Sequence, residues 1–244
     1  MKTLKIILFA VILVLPLNAF GQSGKVMYKQ IIDVHANLPS DQQAFKALVP
    51  KTMESQKVFH FADGKGLLLK AEPEEEAKST SGGTKTINFS ISEDRFLIDY
   101  KAMKSYQLAD IMDGQYYVEY PLKQPETLSI TGETKELLGY ACKKAVITNK
   151  ETSEEQIVWF TNELDFQATP LGQIYIDGAI LELITQNITY TARKIFPETD
   201  TSIPEDVPED YRKINPEQYR DLKDEQVDRM KKNMSNMEVP IKNQ

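Results

Sequence analysis

The chain has 244 residues, a formal charge of −7, two histidines and one cysteine. A negative balance argues against nucleic acid, whose phosphates reward clustered Lys and Arg, and a single Cys cannot close an internal disulfide. At this length one sizeable core can bury about 70% of the unfolded surface.

The first 21 residues read as an export signal. Lys2 and Lys5 precede an apolar run from Ile6 to Leu17, and Ala19-Phe20-Gly21 supplies small residues at a cleavage site before Gln22. The run is about a dozen residues, shorter than the roughly 18 of a spanning helix, so no stable transmembrane anchor is expected. Its removal takes two lysines and no acid, moving the charge from −7 to −9. The mature chain is expected in the periplasm or outside the cell.

Residues 22–197 read as one mainly β domain. KVMYKQIIDV from Lys25 to Val34 is the first strand. Ser40 and Gln43 form a capping box, and with Pro50 as a stop they predict a short helix over about 41–48. Lys57–Ala62 and Gly66–Ala71 flank Asp63-Gly64, a strong two-residue hairpin signal. An acidic, Gly-containing loop from Glu72 to Lys85 follows. Strand signals then recur at 86–91, 95–100, 105–111, 115–120 and 128–131. Such spacing predicts an antiparallel meander forming a curved sheet, half-barrel or flattened barrel.

Alternation sorts the later strands by face. Tyr140, Cys142, Lys144 and Val146 share one side of a strand, and Ile157 with Trp159 one side of the next. Segments at 179–184 and 188–196 complete the β region. Beyond Pro197 the chain turns acidic and proline-containing, with 12 acids, 8 bases and no glycine in 198–244. This part reads as an extended linker followed by a helix from about 216 to 233, started by Asn215, Pro216 and Gln218. The helix is expected to be loosely docked or free.

No catalytic motif is present. The sequence lacks a nucleophile elbow and a phosphate-binding glycine loop, and His35, His60 and Cys142 have no metal-ligand spacing. No catalytic residue, metal ligand or cofactor is assigned. A non-enzymatic binding or accessory role is the leading expectation, and Cys142 reads as a buried thiol. The alternative is a carrier of an apolar ligand, with Phe96, Tyr100, Tyr106, Tyr116 and Tyr120 on one face of the central meander. A metal protein or enzyme built on His35, His60 or Cys142 is a third reading.

One stretch carries a family resemblance. Gly139, Tyr140, Cys142, Lys143, Lys144 and Ala145, then Trp159-Phe160-Thr161, Pro170, and Gly178, Ile180, Leu181 and Glu182 follow one another in the order seen in the GLPGLI family. The chain resembles a divergent member of that family of exported bacterial proteins of unknown function. Asp177, Ala179 and Thr169 depart from its pattern. The resemblance implies a β-rich fold, no known catalytic residues, and a partner in the envelope such as an outer-membrane transport component.

Overall fold

A computed structural model describes residues 23–37, 46, 50–71, 95–112, 114–197 and 202–235. The expected signal segment, most of the 41–48 helix and the 86–91 strand lie outside the described residues.

Twelve strands form one open, mixed sheet: β1 (Gly24–Asp33), β2 (Thr52–Ala62), β3 (Lys65–Lys70), β4 (Arg95–Asp99), β5 (Lys104–Ile111), β6 (Gly114–Pro121), β7 (Leu128–Leu137), β8 (Tyr140–Thr148), β9 (Glu155–Thr161), β10 (Ala179–Ile184), β11 (Ile188–Pro197) and β12 (Arg212–Lys213). The α-helix α1 (Pro216–Ser235) follows. The sheet order is β12-β6-β5-β4-β3-β2-β1-β11-β10-β9-β8-β7. Two meanders, β1–β6 and β7–β11, are therefore joined side by side at an antiparallel β1–β11 seam. Neighbour pairing holds within each meander but not between them, because β6 and β7 lie near opposite edges.

That separation shapes the sheet. In a flat sheet β6 and β7 would stand about 48 Å apart at roughly 4.8 Å per strand. Residues 122–127 join them, and such a link reaches at most about 25 Å. The sheet must fold back on itself. Its core reflects this: Val26, Phe59, Leu68, Phe96 and Ile98 of the first meander cluster with Cys142, Leu181 and Ala192 of the second and with Leu122 of the link. Burying each large apolar side chain there contributes roughly 1.5–3 kcal/mol.

Local chemistry fixes the turns. Asp63 (φ 52°) and Gly64 (φ 76°) turn β2 into β3, and Leu138 (φ 54°) with Gly139 (φ 85°) turns β7 into β8. Both pairs of positive φ values suit the twist of a tight hairpin. The buried polar groups find partners, as burial demands. The Tyr28 hydroxyl donates to the Ile180 carbonyl at 2.7 Å, and Ser105 Oγ to the Gly172 carbonyl at 2.7 Å. Gln107 Oε1 accepts from the Tyr120 hydroxyl and from Gln173 Nε2, both at 3.0 Å.

The tail is bound to the sheet rather than free. Ile203, Val207 and Tyr211 pack on Leu97 and Leu108, on the face of β4 and β5 opposite Phe96. Arg95 bonds Asp110 at 2.9 Å and also the Tyr211 hydroxyl, which itself donates to Asp110 Oδ1 at 3.0 Å. β12 then pairs parallel with β6, and Lys213 meets Glu119 at 2.7 Å. The helix starts where Asn215, Pro216 and Gln218 place it: Asn215 Oδ1 accepts from the Gln218 amide at 2.8 Å, and Gln218 Oε1 accepts from the Asn215 amide at 3.0 Å. Tyr219 and Leu222 are half-buried while Val227 is 41% exposed, so the first turns of α1 meet the domain. Composition marks residue 198 as a boundary, but Ile203, Val207 and Tyr211, spaced four apart among the acids, pack the strap onto the sheet.

Candidate functional site

Residues 162–178, between β9 and β10, form the longest irregular segment within the described second meander. A loop of this length inside a compact domain is usually functional. Its two ends are tied together. Asn162 Nδ2 donates to the Asp177 carbonyl at 2.7 Å, and Gln167 Nε2 donates to Asp177 Oδ1 at 3.0 Å. The Gly178 amide donates to Gln167 Oε1 at 3.0 Å, and the Ile180 amide to the Ala168 carbonyl at 2.9 Å. Gly178 has φ +137°, and a Cβ there would lie 2.6 Å from the Thr161 carbonyl oxygen. A side chain is excluded by both conformation and space.

Where this loop passes the β2–β3 turn, a cleft of about 330 Å³ opens. Its floor is aromatic. Phe166 stacks on Phe61 with ring centres 3.8 Å apart and planes 7° from parallel. Tyr100, at the end of β4, lines the cleft and lies 6.3 Å from Tyr175, tilted by 41°. The rim is polar, with Asn162, Asp165, Gln167, Asp177 and Lys65. Lys65 is held by the Glu205 carbonyl at 2.6 Å, so the strap also borders the cleft. Asp165 is exposed and makes no bond to a described residue. Burial, followed by the nearby Tyr175, pushes the Tyr100 hydroxyl well above the ordinary phenol value. Burial and then Asp177 raise Tyr175. Both phenols therefore stay protonated at neutral pH. The cleft offers flat apolar surface beside amide, phenol and carboxylate groups.

The residues singled out for an apolar ligand do not make one face. Phe96, Tyr116 and Tyr120 share a side of β4–β6, but Tyr106 lies opposite Leu97 on the other side, packed with Tyr117 in the strap cluster. Strand parity in a continuous count placed Tyr106 with its neighbours, but the β4–β5 register assigns Phe96 to Gln107 and so reverses it. Phe96 itself is covered by Gly172, where any Cβ would collide with its ring.

His35 and His60 are not brought together. Asp33 and Thr52 are paired at one end of the β1–β2 ladder, and Lys25 and His60 at the other, about 27 Å away. Asp33 Oδ1 instead accepts from the amides of His35 and Ala36 in a tight turn. Cys142 is fully buried, and burial first of all pushes its thiol up to about 11. At pH 8 we expect a thiol reagent to leave native protein unlabelled and to label it fully in denaturant. Rapid native labelling would contradict the buried position.

The residues behind the GLPGLI resemblance occupy ordinary places in a three-strand meander. Gly139 is a hairpin turn; Tyr140, Cys142, Lys143 and Lys144 lie on β8; Trp159 lies on β9 and Leu181 with Glu182 on β10. Pro170 is buried in the loop and Gly178 closes it. Lys135 pairs with Glu182 and lies over the Trp159 ring at 4.3 Å, a half-buried cross-strand contact. These are hairpin-turn, strand and core positions of the fold.

No curated protein matches the sequence. Two solved structures of PNGF-II, in C2 and P21 crystals, share the fold with a TM-score of 0.56 and 18% identity, over 82% of this chain. They are matched over 32% and 33% of their own length, so the chain spans about a third of these neighbours. A match to a different family overturns the GLPGLI assignment, and the expected transport-component partner rested on that assignment alone. The model of the N-glycanase peptide, N-terminal domain, matches residues 66–221, well over half the sequence, and the chain belongs to that family.

Proposed function

We propose that this is an exported, non-catalytic recognition domain that holds a glycan or the glycosylated part of a protein in the cleft between the 162–178 loop and the β2–β3 turn. The observation that carries the reading is the cleft itself, where Phe166 and Tyr100 lie beside Asp165, Asn162 and Gln167. Sugars present apolar ring faces and hydroxyl edges, and this pairing of aromatic surface with convergent polar groups suits both. Membership of a family named for an N-glycanase supports the ligand class. The folded-back sheet, read as a flattened half-barrel, supplies a rigid frame for a binding loop. An apolar carrier is less well supported, because the loop's own Gly172 already packs on Phe96. Among the described residues no helix is long and apolar enough to cross a membrane. Export rests on the N-terminal pattern of Lys2, Lys5 and the apolar run.

The test is calorimetric titration with an N-glycosylated peptide and with the same peptide after glycan removal. The native domain is expected to bind only the former. Asp165→Asn should weaken binding about tenfold, the scale of one charge-assisted hydrogen bond of roughly 1.5–3 kcal/mol. Phe166→Ala, which removes the stacked wall, should weaken it at least as much. Equal affinity for both peptides, or none for either, would sink the proposal.

A further inference from the structure

A second surface has no role in the cleft. β1 buries Val26, Tyr28 and Gln30 and leaves Lys25, Met27 and Lys29 on its partly exposed side. The β1–β11 register shifts between Met27, opposite Lys194, and Tyr28, opposite Ala192, so Arg193 is an extra residue with no partner across the seam. Such a bulge re-aims side chains. Ala192 and Ile195 still pack toward the core, while Arg193 and Lys194 are consecutive and both exposed. Lys25, Lys29, Arg193 and Lys194 thereby gather on one side of a chain whose net charge is −7. Lys25 and Lys194 flank the Phe196 ring at 5.3 and 4.2 Å. Beside them a depression of about 270 Å³ is lined by Met27, Lys29, Glu54, Gln56 and Arg193. Glu54 engages Lys29 at 2.7 Å, and His60 lies across from Lys25.

We propose that this bulge is a binding site for an acidic oligosaccharide, one bearing sulfate or uronate groups. The guanidinium of Arg193 has the planar fork that matches such oxyanions. Lys25 and Lys29 are four residues apart on one strand, about 13 Å, so the cations form a short line rather than a broad field. A narrow, linear polyanion can follow that line. A flat anionic membrane would also meet the surrounding acids of this negatively charged chain. Phe196, already framed by ammonium groups, gives a ring face of the kind a sugar packs on. The choice of a saccharide over another linear polyanion rests on the glycan reading above. The line of cations does not depend on it.

The test uses the full chain, titrated with a heparin-derived hexasaccharide at low and at physiological salt. Native protein is expected to bind, with at least a fivefold loss on raising salt. The double variant Arg193→Ser/Lys194→Ser, altered only at exposed bulge positions, should lose at least tenfold. Phe166→Ala, in the separate cleft, should leave this binding unchanged, so failure of either site is read independently. A hyaluronan hexasaccharide, with carboxylates and no sulfates, tells the two groups apart. Binding as tight as heparin's makes the uronates the recognised groups, weaker binding makes them the sulfates, and both support the site. The proposal is overturned if native protein does not bind the heparin fragment or if the double variant binds it equally. It is overturned also if a single-stranded oligonucleotide or phosphatidylserine vesicles bind as tightly as the hexasaccharide.

Discussion

Gly178→Ala is expected to lower the melting temperature by about 6–12 °C. The residue sits at φ +137°, where an L side chain is strained, and the new Cβ would press on the Thr161 carbonyl oxygen at 2.6 Å and the Phe160 ring at 3.2 Å. The first of these is backbone of β9 and cannot swing aside. Strain and contact together should cost about 3 kcal/mol, and a chain of this size shifts by about 2–4 °C per kcal/mol. The substitution also loosens the hydrogen bond that the residue 178 amide donates to Gln167, which holds Asp177 and one rim of the cleft. Gly132→Ala is the control: nothing lies within 4 Å of its Cβ, and its melting point should stay within about 2 °C of the native value. Calorimetric scans of both variants decide the matter. Equal melting of the two would mean that the loop does not close as described.

Tyr211→Ala should destabilise the domain by about 3–5 kcal/mol, the range for losing a buried aromatic ring. The ring is 8% exposed and fills the space over Leu97 and Leu108. Its hydroxyl also completes the bonding of Arg95 and Asp110. Tyr211→Phe keeps the packing and should cost about 1–2 kcal/mol for the lost bonds. Hydrogen exchange gives the more specific readout. In Tyr211→Ala the amides of 202–214 should exchange much faster, including Ile214, which normally donates to the Tyr117 carbonyl at 2.9 Å. Unchanged protection there would mean that the strap is held by something other than this ring. The contribution also has a pH signature. Burial, then the bond to Asp110, raises the folded phenol above its ordinary value. The unfolded phenol ionises first, so this part of the stability is complete below about pH 10 and declines above it.

The strands were legible because this sheet keeps period-two alternation with strong turn chemistry, as at Asp63-Gly64. The capped start of α1 was legible for the same local reason. What the sequence could not display is pairing between distant segments. β1 has no mark that names β11 as its neighbour, and two residues of β12 are too few for any periodicity. The cleft escaped notice because its members come from three places, Phe61 on β2, Tyr100 after β4 and the 162–178 loop. The length of that loop between two apolar strands was the one available signal. The rare residues were read by the same face argument: Cys142 is buried as its strand position implied, and Trp159 packs half-buried against the core beneath Lys135.

The seam between β1 and β11 has a consequence for how the chain is made. Its pairs run from Gly24 with Pro197 to Ile32 with Ile188, among the largest sequence separations the fold contains. During synthesis the β1–β6 meander can assemble early, but β1 remains an open edge until residue 188 has emerged. High contact order slows such closures, and an unpaired edge strand invites pairing with other chains. Lys25 and Lys29 lie along that edge, and charged lysines on an exposed strand oppose association with a second copy. The same side chains that line the bulge in the finished protein therefore guard the half-built one.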